Sequence, residues 1–564
     1  MKRILVVGGV AGGASVAARI RRLDESADIT IFERGPHVSF SNCALPYYLS
    51  GHIAKSEQLI LMSPAKFKKQ YNIDVRTENE VIAIDRQAKT VTVKNVTDGS
   101  NYTESYDALI LSPGASPIVP KSIAGVDQPH VFTVRNVVDI ARLKAYIDEN
   151  AVEEIAVIGG GFIGLEVAEN LREAGKKVSL VEAADQIMAP FDYDMVQILH
   201  KEMLDNGVNL TVGDGLKEIQ SGRILLSSGK EIKAGAVVMA IGVAPETTLA
   251  KSAGLEIGVT GAIKVNHHYQ TSDPAIYAVG DAIEVYNSQT RKPTRLALAG
   301  PAQRQARAAG DHICGMNHNH RGVIGSCAVR VFGINAAATG LNEKTAKAAG
   351  IPCDFVYIIP SDRPGLMPEA RPMHFKLLYE VPTGRILGAQ AIGKGNVDKR
   401  VDVIASMITM GADLEDLKEL ELCYSPLFGT AKDVVNQAAL VALNVLYGKV
   451  RQIPVTAVRD LVETGACIVD VREEAEYNAG HLKNAVNIPL SQLRERMDEV
   501  PKDRPVYLHC RSSQRSYNAL MALQNSGWDN LWNISGSYLG ISLYEYFNDV
   551  TRNREPIVTA YNFA

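Results

Sequence analysis

The chain has 564 residues, 46% of them hydrophobic and 22% charged, and a formal net charge of -4. That length allows three or four domains with full cores, and the charge balance gives no footing for nucleic acid or an acidic membrane as a partner. No run of about 18 apolar residues occurs, and MKRILVVGGVAGGA leads straight into a strand and a turn, not a signal peptide, so a cytoplasmic protein is expected.

Residues 3–9 (RILVVGG) form an apolar run ending in glycines, which predicts a buried parallel strand. Helical spacing follows over 12–23, then a second strand, DITIFE, over 28–33. The same βαβ pattern returns at 155–182, with IAVIGGGFIGLE, a helix through Ala174, Gly175 as its C-cap, and KVSLVE. Strands running into Gly/Pro turns are expected at 106–117 and 236–246, and TSDPAIYAVGDA (271–282) delivers Gly280-Asp281 at a strand end. A helix is expected over 296–313. Alternating strands (CAVRVFGI, FKLLYE, ILGAQAIG) and helices at 398–411 and 430–447 then predict an α+β domain. LYGKVRQIPVT (446–456) reads as a linker to a compact α/β unit of the last 110 residues or so.

The fold class is therefore α/β, with two Rossmann-like nucleotide-binding domains, an α+β domain and a C-terminal α/β domain. The expected boundaries are 1–115 with 247–322, 116–246, 323–447 and 453–564. The seven cysteines are scattered and form no C-x-x-C, so a disulfide framework is not expected. His312, Cys314, His318 and His320 in HICGMNHNH match no zinc spacing and read as a polar loop after a helix, so no metal is expected.

Both βαβ turns carry the residues a dinucleotide needs. In the first, Gly8 and Gly13 hold two of the three glycine places, with Val10 in the middle one. Gly9 and Gly12 keep the backbone thin, and Glu33 ends the second strand, where a carboxylate can bond ribose hydroxyls. The second matches in full with Gly159, Gly161 and Gly164. Glu182 follows on its second strand and favours NADH over NADPH, because a carboxylate repels a 2′-phosphate. Two such sites suggest a flavin in one and a nicotinamide in the other.

The order GGVAGG, SFSNCALPYY, GGGFIGLE, AIGVAPE, YAVGDA and LAGPAQRQARAAG resembles the pyridine nucleotide:disulfide oxidoreductases, and more closely the coenzyme A disulfide reductases, over residues 1 to about 447. The resemblance implies FAD on the first unit with Asp281 at its ribityl chain, and NADH on the second with Phe162 over the flavin. It also implies that the lone Cys43 forms a mixed disulfide with coenzyme A, so the second sulfur comes from the substrate. A thiolate there needs donors to lower its pKa, and Ser39 and Asn42 can position the thiol and the pantetheine arm. Arg19 and Arg22 share a helix face, and the resemblance puts Arg22 in particular on the nucleotide phosphates. The 323–447 segment resembles a dimerisation domain, which implies a homodimer. Its CYSPLFGTAKDVVNQAA stretch would bring Tyr424, as a donor to the departing sulfur, and Lys432 near the other subunit's Cys43. Arg363 stands where the family usually has a second tyrosine. It cannot act as a general acid at neutral pH but can stabilise an anion.

Residues 453–564 resemble a rhodanese domain through Asp470, Arg472, Glu476 and Gly480-His481. The loop Cys510-Arg511-Ser512-Ser513-Gln514-Arg515 has the six-residue length typical of sulfurtransferases, with Ser513 where many members have glycine. Consecutive N–H groups in such a loop can cradle a thiolate or persulfide. The combined expectation is an NADH-driven flavoprotein persulfide reductase. Cys510 accepts sulfane sulfur, coenzyme A carries it as a persulfide, and Cys43 expels hydrosulfide. Three alternatives are a coenzyme A disulfide reductase with an accessory sulfurtransferase, an NADH oxidase or peroxidase cycling Cys43 through sulfenic acid, and a non-enzymatic redox sensor.

Overall fold

The computed structural model describes residues 2–317 and 321–563. The chain divides into two compact units, one made of residues up to Asp185 with Thr211–Val323, the other of Gln186–Leu210 with Ile324 onward.

The first unit contains two parallel sheets. One runs Ile276–Ala278, Ala108–Leu111, Arg3–Val7, Asp28–Glu33, Asp74–Thr77. Ile4, Leu5 and Val6 are all but inaccessible, as expected of a parallel strand covered on both faces. The helix Ala11–Leu23 follows the first strand and buries Val16, Ala17 and Ile20. Its partner Ala299–Ile313 comes close at Gly310, where an added Cβ would meet Arg19 Cγ at 3.1 Å. Four neighbouring strands of the second sheet, Lys177–Glu182, Glu154–Ile158, Ala236–Met239 and Val131–Phe132, repeat the plan in parallel register. The helix between the first two of these, Phe162–Glu173, caps at Ala174, and Gly175 follows at φ +82°. The strand expected before Asp281 is short, Ile276–Ala278, because the chain tightens at once into a turn of 3₁₀ helix, Gly280–Ala282.

The second unit holds an antiparallel sheet in the order Cys327–Val331, Ile334–Gly340, Ile386–Gly393, Met373–Glu380, Cys353–Ile358. Helices Val397–Met410, Leu414–Glu419 and Val434–Leu446 share one core with it, around Phe375, Leu377, Ala391, Ile404 and Ala438. The last helix starts later than its composition suggests. Asp433 is its N-cap, and the preceding residues, Tyr424 and Lys432 among them, form no regular element.

The C-terminal sheet is parallel, in the order Gln452–Ile453, Leu531–Ile534, Val506–His509, Cys467–Asp470, Val486–Asn487. The expected linker is thus part of the domain. Gln452 and Ile453 add an edge strand beside Asn533 and Ile534, and Val450 is buried next to them. The C-terminal domain is fastened to the antiparallel sheet by Tyr357, whose N–H donates to Ser535 Oγ at 3.2 Å while its carbonyl accepts from Gly536 N at 3.2 Å.

Residues Gln186–Leu210 pack in the second unit although they lie within the second nucleotide-binding segment of the sequence. Lys376, 1% exposed, explains part of this. Its ammonium sits among Asp192 at 3.2 Å, Asp194 at 2.8 Å and Glu343. These three carboxylates are grouped closely enough to hold a metal ion, and Lys376 supplies their positive charge instead. His318 and His320 lie outside the described residues. His312 bonds the Tyr277 hydroxyl at 2.9 Å and stacks on His268. Among the described residues, no helix is long and apolar enough to cross a membrane.

Candidate functional site

The two glycine turns are built alike. A Cβ on Gly13 would strike the Gly8 carbonyl at 1.8 Å, and one on Gly164 would strike that of Gly159 at 1.8 Å. Only glycine allows either helix to start so close to its strand. Neither helix has a side-chain N-cap, since Val10 and Gly161 hold the cap positions, so the first N–H groups face outward. A Cβ on Gly161 would meet nothing within 4 Å, which leaves the room a pyrophosphate needs. Glu33 accepts from Gly9 N and Gly35 N, each at 2.9 Å. Glu182 accepts from Gly160 N at 2.7 Å and Ala184 N at 2.8 Å. A carboxylate has about four acceptor positions, so each acid is held in place with capacity left for ribose hydroxyls.

Asp281 lines a cavity of about 490 Å³ with Thr260, Thr294 and Arg295. Burial raises its pKa, and no donor among the described residues bonds its carboxylate. A half-buried acid facing such a space suits a polyhydroxylated ligand. Both sites therefore fit dinucleotides. Phe162 is the first, half-buried residue of the second helix.

Cys43 lies in a short 3₁₀ turn, Asn42–Ala44, and is exposed. The structure departs here from the expected thiolate environment. Neither Asn42 nor Ser39 bonds the sulfur. Partial burial raises the thiol pKa, and the carboxylates of Glu166 and Asp281 add to the shift. Glu166 was not anticipated. It lies four residues after Phe162 in GFIGLE, and burial pushes its own carboxyl up to about 7. The acid was visible in the sequence, but not its proximity to Cys43.

Ser39 borders a second cavity, of about 330 Å³, which Arg19, Arg22, Arg307, Gln303 and Tyr71 also line. The arginines differ in how far an internal acid already engages them. Arg19 Nε donates to Asp311 at 2.5 Å, with Arg307 at 4.0 Å from the same acid. Arg22 has no carboxylate at ion-pair distance among the described residues, and its guanidinium lies 6.0 Å from the Tyr71 ring centre. The third arginine, Arg307, comes from a helix almost 300 residues away in sequence, so helical spacing around Arg22 could not reveal it.

In the second unit, Tyr424 is 51% exposed, and Lys432 is exposed nearby in sequence. Arg363 does not present a free charge. It pairs with buried Asp362, Nη2 to Oδ2 at 3.2 Å.

Cys510 directly follows the strand Val506–His509 and is buried. The loop then turns into the helix Gln514–Asn525, with Ser513 at φ +75°. That left-handed conformation favours glycine. Serine is held there by bonds from its hydroxyl to Ile534 O at 3.0 Å and Ser537 Oγ at 3.1 Å. Its side chain does not cap the helix, so the first N–H groups have no side-chain acceptor, and the Cys510 sulfur accepts from Ser516 Oγ at 3.6 Å. Arg515 forms a bidentate pair with Glu476 at 2.6 and 2.7 Å. Arg511 has no carboxylate at ion-pair distance among the described residues. Ser512 is half-buried and Gln514 exposed. Below the loop, Asp470 holds Arg472. Burial lowers the pKa of the adjacent His509.

Three family models match. Residues 2–306 match the pyridine nucleotide-disulphide oxidoreductases, 327–434 their dimerisation domain, and 455–543 the rhodanese-like domain. The chain is 32% identical over 437 residues to a coenzyme A disulfide reductase of Staphylococcus epidermidis, covering 77% of this chain and 98% of that one. The structure of reduced CoADR-RHD from Bacillus anthracis superposes with a TM-score of 0.93 at 44% identity, over 97% of this chain and 98% of that one. An NAD-dependent persulfide reductase from A. fulgidus follows at 0.91 and 35%, over 96% and 99%. The twin glycine cradles fit the FAD and NAD(P)H that this family implies. The chain thus belongs to the pyridine nucleotide-disulphide oxidoreductases and is an oxidoreductase with a C-terminal rhodanese-like domain.

Proposed function

We propose that the protein uses NADH to reduce coenzyme A persulfide to coenzyme A and hydrosulfide, and that its rhodanese domain supplies the sulfane sulfur. The observation that carries this reading is the pairing of an exposed lone cysteine with an arginine-lined cavity. Cys43 has no disulfide partner, and Ser39, four residues before it, borders the cavity that holds Arg22 and Arg307. A thiol without a partner needs a substrate that brings its own sulfur. A cavity lined by three arginines, of which Arg22 has no acid partner among the described residues, suits a nucleotide's phosphates.

The Cys43 thiolate attacks the inner sulfur of the persulfide. The new bond joins Cys43 Sγ to the pantetheine sulfur, and the outer sulfur leaves with its electron pair as hydrosulfide. Held by the Gly8–Gly13 turn, Glu33 and Asp281, FAD would supply the two-electron reduction, drawn from NADH, that such a mixed disulfide needs to return to two thiols. Glu166, with its carboxyl near neutrality, is suited to hold a proton close to Cys43. Phe162 shields the space next to Gly161. Tyr424, from a second copy of the chain, donates to the departing sulfur, with Lys432 beside it. Residues 1–115 with 247–322 hold FAD and 116–246 hold NADH. Glu182 selects NADH over NADPH by charge.

The names of the S. epidermidis and A. fulgidus relatives support a disulfide or persulfide substrate. The test is anaerobic, with NADH and coenzyme A persulfide supplied to the wild type and to Cys43→Ser. Stoichiometric sulfide that vanishes in the variant is expected. Turnover only of the symmetric coenzyme A disulfide would favour the simple disulfide reductase. No turnover until air or peroxide enters would favour an oxidase.

A further inference from the structure

A cavity of about 420 Å³ lies against the Cys510 loop, and two domains of the second unit build it. The C-terminal domain contributes Arg511, Ser512 and Leu539. The segment after strand Cys353–Ile358 contributes Ser361, Met367 and Arg371. This second wall is a braced loop. Asp362, 2% exposed, accepts from Arg371 N at 2.8 Å and holds Arg363, and Arg371 Nη1 donates to Pro368 O at 2.9 Å and Ala370 O at 2.7 Å. The Tyr357–Ser535 bonds fix the strand that carries it against the C-terminal domain.

The lining has two characters. Met367 and Leu539 are apolar. Arg511 is a half-buried cation with no carboxylate at ion-pair distance among the described residues, and nearby Glu476 is held bidentately by Arg515. Arg371 keeps the rest of its guanidinium for a ligand. The volume falls in the range of small organic ligands, about 300–1,000 Å³, and is far more than a bare inorganic anion fills.

We propose that this cavity is the sulfur-donor pocket of the rhodanese domain and that it takes a low-molecular-weight organic persulfide carrying a carboxylate or phosphate. The donor's chain lies along Met367 and Leu539, and its anion meets Arg371 and Arg511. The proposal rests on the reading that Cys510 accepts sulfane sulfur. In the transfer, the Cys510 thiolate attacks the donor's outer sulfur. The donor's S–S bond breaks, its inner sulfur leaves as a thiolate with the electron pair, and Cys510 becomes a persulfide, with no net oxidation. The fusion thereby sets the donor specificity, because most of the pocket lining comes from outside the rhodanese fold.

The test uses the full-length holoenzyme and follows formation of the Cys510 persulfide by mass spectrometry, from glutathione persulfide, from a neutral alkyl persulfide and from thiosulfate. Arg371→Gln and Met367→Glu are expected to raise the KM for glutathione persulfide by about tenfold or more. In Met367→Glu the neutral alkyl donor should be less affected than the anionic one, and in Arg371→Gln thiosulfate transfer should change less than about twofold. Equal losses with all donors, or none, would overturn the pocket. Sulfur transfer that persists in Cys510→Ser would instead overturn the underlying reading.

Discussion

Replacing Arg22 with alanine isolates the phosphate contact. Among the described residues its guanidinium has no carboxylate partner and only a distant ring contact at 6.0 Å, so it can turn to a ligand without breaking an internal ion pair. One charge-assisted hydrogen bond is worth about 1.5–3 kcal/mol, and each 1.4 kcal/mol is about tenfold in affinity. Arg22→Ala should therefore raise the KM for coenzyme A persulfide by about 10- to 150-fold. The assay is anaerobic NADH oxidation at low and high salt, with pantetheine persulfide as a comparison that lacks the nucleotide. The defect should be confined to the coenzyme A substrate and shrink as salt screens the wild-type contact. Stability should stay within about 0.5 kcal/mol, as for an exposed position. Arg19→Ala should behave differently. It leaves Asp311, whose side chain is 11% exposed, without its close partner, costs about 1–3 kcal/mol of stability, and draws Arg307 away from the cavity. Equal defects on both substrates in Arg22→Ala, or a KM change below about twofold at low salt, would refute the assignment.

Lys376→Met should destabilise the second unit by about 3–5 kcal/mol, because it leaves Asp192, Asp194 and Glu343 grouped without their cation; urea unfolding monitored by tryptophan fluorescence checks this. Glu182→Arg should lower kcat/KM for NADH and raise it for NADPH, and steady-state kinetics with both coenzymes would expose an unchanged preference. In the cofactor-free chain, the pH midpoint for alkylating Cys43 should lie above that of a free thiol, as burial and the carboxylates of Glu166 and Asp281 disfavour the thiolate. Glu166→Gln removes one of those charges and should move the midpoint to lower pH; no movement would separate Glu166 from Cys43.

Much of the fold was legible in the chain because its signals are local. The apolar runs RILVV and EIAVI read as buried parallel strands, and the glycines after them are required by backbone approaches within a single turn. The strand Asp28–Glu33 and the acid at its end followed from a few consecutive residues. The lone Cys43 and the Cys510–Arg515 loop were also visible as short words.

Tertiary structure decided which charges are free and which segments belong together. Arg19 and Arg22 look equivalent on one helix, yet Asp311, 292 positions away, engages the first and leaves the second. Arg363 reads in the sequence as an anion stabiliser, yet in the fold it pairs with its buried neighbour Asp362. Gln452–Ile453 looked like a linker because two residues carry almost no periodicity, and only the edge of the C-terminal sheet makes them a strand. Residues Gln186–Leu210 joined the second unit, where Lys376 sits among their carboxylates. Strands and turns are set by steric and hydrogen-bonding preferences within a few residues, whereas the charge a side chain shows to a ligand depends on partners that folding brings from anywhere in the chain.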